Sequence, residues 1–435
     1  MPLTRRFVPL IALTLLLNGC VANRIYRPGM AAVQTAPVVN GQPAAANFKL
    51  GIIEFDDMGE SWEKCTSLTD PNNCQLSRVL QLIRDEKKSG DVVVITFTHG
   101  WKNNASPENE AKQNLAEFKS LMDGLARGES AMIARMQQNN PAATAPPHPR
   151  TYIGVYLAWR GQSVPNDIFL TFWNRRDAAQ RVGSSDYAEA IYRLMAVTKE
   201  NSPNSRIVVV GHSFGSRVLE TAITNTFVSL LIPEPTSSGG PVPLSQQISP
   251  ADLIMYVNAA TDSFRTKQLI ELMKRTDFKV TRGSAPRGPL FLSVTSTGDQ
   301  ATKIAFPLGQ GLSANSKNFR RDYEPSIAGI PSQKTFFTHT PGHVPFLFSH
   351  TVQPVTGPCA SQDNFRFAVS SGCFEMTPVP NRWNDSPFWV ITVPPAIIRD
   401  HNDIFNPAFI TMITKLLERY EVLESPEPTT MVRSQ

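Results

Sequence analysis

Ser213 stands at the centre of Gly211-His212-Ser213-Phe214-Gly215, inside the stretch VVVGHSFGSRVLE that runs from Val208 to Glu220. A serine hydroxyl becomes a nucleophile when its geometry is forced and a base lies within reach, and a glycine-flanked turn between a strand and a helix supplies the first condition. Before it, Arg206 to Val210 is β-branched and apolar, the composition of a buried strand. After it, Ser216 to Leu231 has helical periodicity, with Val218, Leu219, Ala222 and Ile223 on one inward face. A helix opening at this point turns its positive end toward any negative charge that develops at the serine. Without both flanks the pentapeptide is only a serine in a glycine-rich turn; with them Ser213 is a candidate nucleophile.

The elements that must position it alternate along the chain. Strands are predicted at Phe48 to Phe55, Val92 to Thr98, Tyr152 to Trp159, Arg206 to Val210, Leu253 to Val257, Pro289 to Thr295 and Phe388 to Val393. Between them, helical patterns cover Leu76 to Lys88, a segment from Pro107 through Leu115, Phe118, Leu121 and Leu125, most of Arg175 to Lys199, Arg265 to Arg275, and Phe405 to Tyr420. Uninterrupted apolar strands alternating with helices predict an α/β fold with a doubly wound, mainly parallel sheet. Met132 to Arg150 reads as loop, Pro233 to Pro250 breaks the rhythm, and residues 301–387, rich in Phe, Pro, Ser and Gly, read as a cap-like insertion before the last strand. Its phenylalanines, among them Phe306, Phe336, Phe365 and Phe367, must pack a core or line an apolar cleft. The expected organisation is a core of 48–300 and 388–422, with a tail at 423–435.

With strand, elbow and helix assembled, the chain resembles the α/β-hydrolase superfamily. A second match is His99-Gly100-Trp101-Lys102-Asn103-Asn104-Ala105 after Val92 to Thr98, which is similar to the His-Gly oxyanion loop of such enzymes. The resemblance implies that the amides of Trp101 and Phe214 bind an oxyanion. The family's order of serine, acid and histidine places the acid at Asp299, with Asp262 as the second candidate, and the base at His401. His99 opens the oxyanion loop and takes a positional role rather than that of base. His339, His343 and His350 lie in the insertion, without a strand before or a helix after. The chain departs from the family in the long gap between Asp299 and His401. The implied activity is cleavage of an ester or related acyl bond through an acyl-enzyme, on a small acyl substrate or a lipid, with no metal or organic cofactor. The alternative is a non-catalytic protein of the same fold that acts as a binding or scaffolding surface.

Composition fixes the setting. Of 435 residues, 42 are Lys or Arg and 37 are Asp or Glu, and the formal charge of +5 is scattered rather than massed, which does not call for nucleic acid. Arg5 and Arg6 followed by an apolar run from Phe7 to Leu17 have the dimensions of a signal h-region. Leu17-Asn18-Gly19-Cys20 resembles the lipobox of bacterial lipoproteins, which implies a signal peptide at 1–19, lipid on Cys20, a membrane held through that lipid, and a periplasm-facing outer-membrane location. Residues 20–47, without an apolar period, read as a flexible tether. The remaining cysteines fall into two close pairs, and Cys65–Cys74 with Cys359–Cys373 is the economical disulfide pairing in an oxidising compartment. Neither pair has the spacing of a zinc site.

Overall fold

The computed structural model describes residues 23–139, 149–163, 171–202, 204–231, 251–278, 280, 288–319, 329–357, 359, 365–380, 383 and 386–420. Cys20 and the expected signal peptide, the stretch from Pro233 to Pro250, and the tail at 423–435 lie outside them. In chain order the strands are β1 (Val33–Gln34), β2 (Val38–Val39), β3 (Gln42–Pro43), β4 (Phe48–Glu54), β5 (Val92–Thr98), β6 (Thr151–Ala158), β7 (Arg206–His212), β8 (Leu253–Val257), β9 (Phe291–Ser296), β10 (His350–Val355), β11 (Phe365–Val369), β12 (Gly372–Pro378) and β13 (Phe388–Val393). The α-helices are α1 (Gln75–Lys87), α2 (Pro107–Lys112), α3 (Asn114–Asn139), α4 (Thr171–Val182), α5 (Asp186–Lys199), α6 (Phe214–Leu231), α7 (Ser263–Arg275), α8 (Phe306–Ala314), α9 (Gln333–Thr338) and α10 (Pro407–Arg419).

Eleven strands form one sheet in the order β1-β4-β6-β5-β7-β8-β9-β13-β10-β12-β11. Every neighbouring pair from β4 to β10 runs parallel. The period of two divides each strand between two cores. On β7, Ile207 and Val209 join a cluster with α1, α4, α5, α6 and α7, while Val208 and Val210 join one with α3 and α10. Both faces of β5 and β7 are therefore buried, which is why these strands read as unbroken apolar runs. From β5 the chain passes to β6 on one side and returns to β7 on the other. The loops leaving β5 and β7 thus diverge at a topological switch point, the position at which open α/β sheets bind ligands.

Three expectations change, and that of a mostly helical Arg175 to Lys199 holds with a break. The loop expected from Met132 is helix as far as Asn139, because Ala, Met, Arg and Gln favour helix and Ile133 is buried. Arg175 to Lys199 divides at the Gly183 turn into α4 and α5. The expected tether is fixed from Asn23 onward: the Tyr26 and Arg27 amides donate to the buried Glu54 carboxylate at 3.0 and 2.7 Å, and β1 pairs antiparallel with β4. These are backbone contacts, so no apolar period announces them. Part of the stretch expected as a separate cap joins the sheet instead, since β10 pairs parallel with β13 and β12 and β11 extend the same sheet. Phe306, Phe336, Phe365 and Phe367 are core residues. The cysteines pair as Cys65–Cys74 and Cys359–Cys373.

One further buried carboxyl bears on stability. Glu220 of α6 is 4% exposed and accepts from the Thr261 and Thr266 hydroxyls. Burial pushes its carboxyl from 4.5 up to about 7, against the pull of Arg265 and with a further push from Asp262. The folded chain holds this proton where the unfolded chain has released it, so the stabilisation is full below pH 4.5 and is lost as pH rises through about 7. Glu220→Gln should gain on the parent across that window, by up to roughly 3 kcal/mol. Urea unfolding of both proteins at several pH values checks this, and a constant difference between them would contradict it.

Candidate active site

The elbow is a close approach of three backbones. β7 ends at His212, Ser213 takes a left-handed φ of 56°, and α6 starts at Phe214. For a residue with a Cβ this conformation costs about 1–2 kcal/mol. It is held by hydrogen bonds from the Ser213 amide to the Val257 carbonyl and from the Ser216 and Ala260 amides to the Ser213 carbonyl, each 3.1 Å. A methyl group on Gly215 would lie 2.1 Å from the Thr98 carbonyl oxygen, and one on Gly100 would lie 2.6 Å from Ser213 Cβ. The glycines let the end of β5, the following loop and the start of α6 meet around the serine.

His401 reaches Ser213 from the loop between β13 and α10. Its Nε2 is 2.8 Å from Ser213 Oγ and its Nδ1 is 2.8 Å from Asp299 Oδ2. Asp299, fully buried after β9, also accepts from the Ala301 and Thr302 amides at 2.9 and 3.1 Å and from the Thr302 hydroxyl at 2.6 Å. Burial raises its carboxyl, but the His401 hydrogen bond and charge and the Thr302 donors outweigh that and hold it below the usual range. An ionised Asp299 fixes the proton on His401 Nδ1, which leaves Nε2 free to accept from the Ser213 hydroxyl.

The other candidates take different places. Asp262 lies 3.4 Å from Arg217 at the start of α7 and has no hydrogen bond to His401. His99 is fully buried; its Nδ1 lies 2.9 Å from the Gly100 carbonyl, and its Nε2 accepts from the Trp159 amide at 3.1 Å. With burial driving its pKa down to about 4, it is a neutral brace for the loop. His339 and His350 bond within their own segments. The Trp101 and Phe214 amides make no hydrogen bond among the described residues, and Gly100 places the loop beside Ser213. Among the described residues no cluster of three His, Cys, Asp or Glu side chains is arranged to hold a metal.

Four further side chains hold the relay, and three of them, His212, Asn258 and Thr302, escape a sequence reading. The His401 carbonyl accepts from His212 Nε2 at 2.9 Å and from Asn258 Nδ2 at 3.0 Å. Burial, reinforced by nearby His401, lowers His212 to about 3, so it donates as a neutral ring. Asn258 has a φ of 45°, and its Oδ1 accepts from the Ser296 amide, which ties the end of β8 to the end of β9. At the other end, the Thr302 hydroxyl that donates to Asp299 can accept from His343 Nε2 at 3.0 Å. The only sequence signal is placement: His212 follows Val208 and Val210 on one face, and Asn258 directly follows β8.

His212→Leu removes one donor to the His401 carbonyl and should slow labelling of Ser213 by a fluorophosphonate roughly 10- to 100-fold. His212→Gln, which keeps a donor, should label faster than the Leu variant. Labelling rates, with circular dichroism to check folding, decide it; a folded Leu variant that labels at the parental rate would remove His212 from this role. No protein-family model matches the chain, and neither does any curated protein or solved structure, so the chemistry of the site rests on its own geometry.

Proposed function

We propose that the chain is a serine hydrolase of the α/β-hydrolase superfamily that cleaves an ester or related acyl bond through an acyl-enzyme on Ser213. One observation carries the reading: an uninterrupted hydrogen-bonded line from Ser213 Oγ through His401 to the buried, ionised Asp299, made by residues 188 and 102 positions apart. Ion pairs and core polar groups account for single contacts of this kind. They do not account for a hydroxyl in a strained turn, aimed at an imidazole whose far nitrogen is already satisfied.

In the proposed reaction His401 Nε2 takes the Ser213 proton as Oγ attacks the acyl carbon. The carbonyl oxygen becomes an oxyanion received by the Trp101 and Phe214 amides, each worth roughly 3 kcal/mol when well placed. As the intermediate collapses, His401 returns the proton to the leaving oxygen and the alcohol departs. Water then attacks the acyl-serine, gives its proton to His401, and regenerates the hydroxyl as the acid leaves. Asp299 keeps its charge throughout and stabilises the imidazolium. No step needs a metal or organic cofactor. Lipid on Cys20 would hold the protein at the bacterial envelope, and the two disulfides suit an oxidising, periplasm-facing location.

Hydrolysis of p-nitrophenyl esters tests the proposal. Ser213→Ala should abolish turnover and fluorophosphonate labelling. Asp299→Asn should lower kcat by about 10⁴-fold, while Asp262→Asn, at a residue that makes no hydrogen bond to the imidazole, should stay within a few-fold of the parent. A parent protein that neither labels nor hydrolyses would point to the binding or scaffolding alternative.

A further inference from the structure

The segment directly after Asp299 carries an exposed aliphatic stripe. Residues 301–305 form a π-helical turn that continues into α8. Ile304, Leu308 and Leu312, four residues apart, are 52%, 63% and 63% exposed. That spacing puts them on one face. The opposite face is anchored: Phe306 packs edge-on to Phe172 at 6.1 Å, Trp173 Nε1 donates to the Gly309 carbonyl at 3.1 Å, and Gln310 is bonded to Arg176. Outward side chains on a fixed helix gain nothing from the fold and would be expected to be polar.

The described segments that carry the stripe hold charge of one sign. The described residues 300–319 and 329–357 contain no Asp or Glu. They contain Lys303, Lys317 and Lys334, all exposed and none in an ion pair with a described residue. α9, which bears Lys334, packs against α8, and Phe319 meets Phe337 across them at 5.5 Å. Exposed aliphatic side chains on segments whose lysines make no ion pair among the described residues match a bilayer with anionic headgroups, where apolar groups enter the acyl boundary and ammonium groups remain at the phosphates.

We propose that the face built by α8 and α9 docks on an anionic lipid surface. Phe172 touches both Phe306 and Phe214, with ring centres at 6.1 and 5.3 Å, so the docking helix lies one aromatic layer from the elbow. Docking itself does not depend on the hydrolase reading. Its consequence for turnover, presentation of lipid-borne esters to Ser213, rests on that reading.

A local probe tests the docking in the full-length chain. Cys20→Ser removes the one cysteine outside the two disulfides, and Gly311→Cys places a thiol where a side chain meets nothing within 4 Å. A nitrobenzoxadiazole label there should brighten and shift to the blue with vesicles of phosphatidylcholine and phosphatidylglycerol in equal parts, and much less with phosphatidylcholine alone. Adding Ile304→Ser, Leu308→Ser and Leu312→Ser should weaken the anionic-vesicle response at least about tenfold. Adding instead Lys303→Gln, Lys317→Gln and Lys334→Gln should bring the response on anionic vesicles down to that on neutral ones. Ser213→Ala should change neither. A well-folded labelled protein that gives no blue shift with anionic vesicles, or the same shift after the serine substitutions, overturns the proposal and leaves the face to a protein partner. A vesicle response without esterase activity retains the docking and removes the hydrolase reading.

Discussion

Glycine at 100 and at 215 permits a separation between backbones that no side chain would tolerate. A methyl group at either would strike Ser213 Cβ or the Thr98 carbonyl, so β5, its following loop and the start of α6 converge only because both positions lack a Cβ. That convergence turns Ser213 outward at the end of β7 and sets the Gly100 loop against it. Strand order makes the convergence useful. β5 and β7 are neighbours whose connections lead to opposite faces of the sheet, so the two loops part at the carboxyl ends of the strands.

The imidazole is fixed from behind as firmly as from the front. Its two nitrogens are engaged by Ser213 and Asp299, and the carbonyl of the same residue is engaged by His212 and Asn258. His401 is therefore oriented by side chains from the ends of β7 and β8 and from the turn after β9. A loop residue gains the precision of a sheet residue in this way. The arrangement has its own cost, since His212 Nδ1 is buried without a hydrogen-bond partner among the described residues and such groups are rare in folded chains. A ring held neutral carries that cost more easily than a charged one would.

What a sequence discloses here depends on whether the controlling interaction is local. The buried runs of β5, β7 and β13 are legible because both faces of each strand are covered. The elbow is legible because its glycines and flanks are contiguous. Asp299 and His401 can be nominated only through the chain order of the superfamily that the sequence resembles, and their meeting depends on β9 pairing with β13. His212, Asn258 and Thr302 cannot be nominated in that way. Asn258 acts on a carbonyl 143 positions away, and an asparagine after a strand looks like any turn residue. Residues 23–47 mislead for a related reason, since they are held by amide-to-carboxylate bonds that leave no hydrophobic pattern. The phenylalanine-rich stretch suggests a separate body, whereas its strands complete the sheet edge beside β13.

The anchoring of Tyr26 and Arg27 on Glu54 sets a length scale. Six peptide units separate position 20 from Tyr26, and a fully extended chain spans roughly 3.5 Å per residue. A lipid on Cys20 would therefore hold the folded body on a leash no longer than about 20 Å. A molecule so confined cannot sample the depth of the compartment around it; it works within a thin layer next to the bilayer, and whatever it acts on must come to that height.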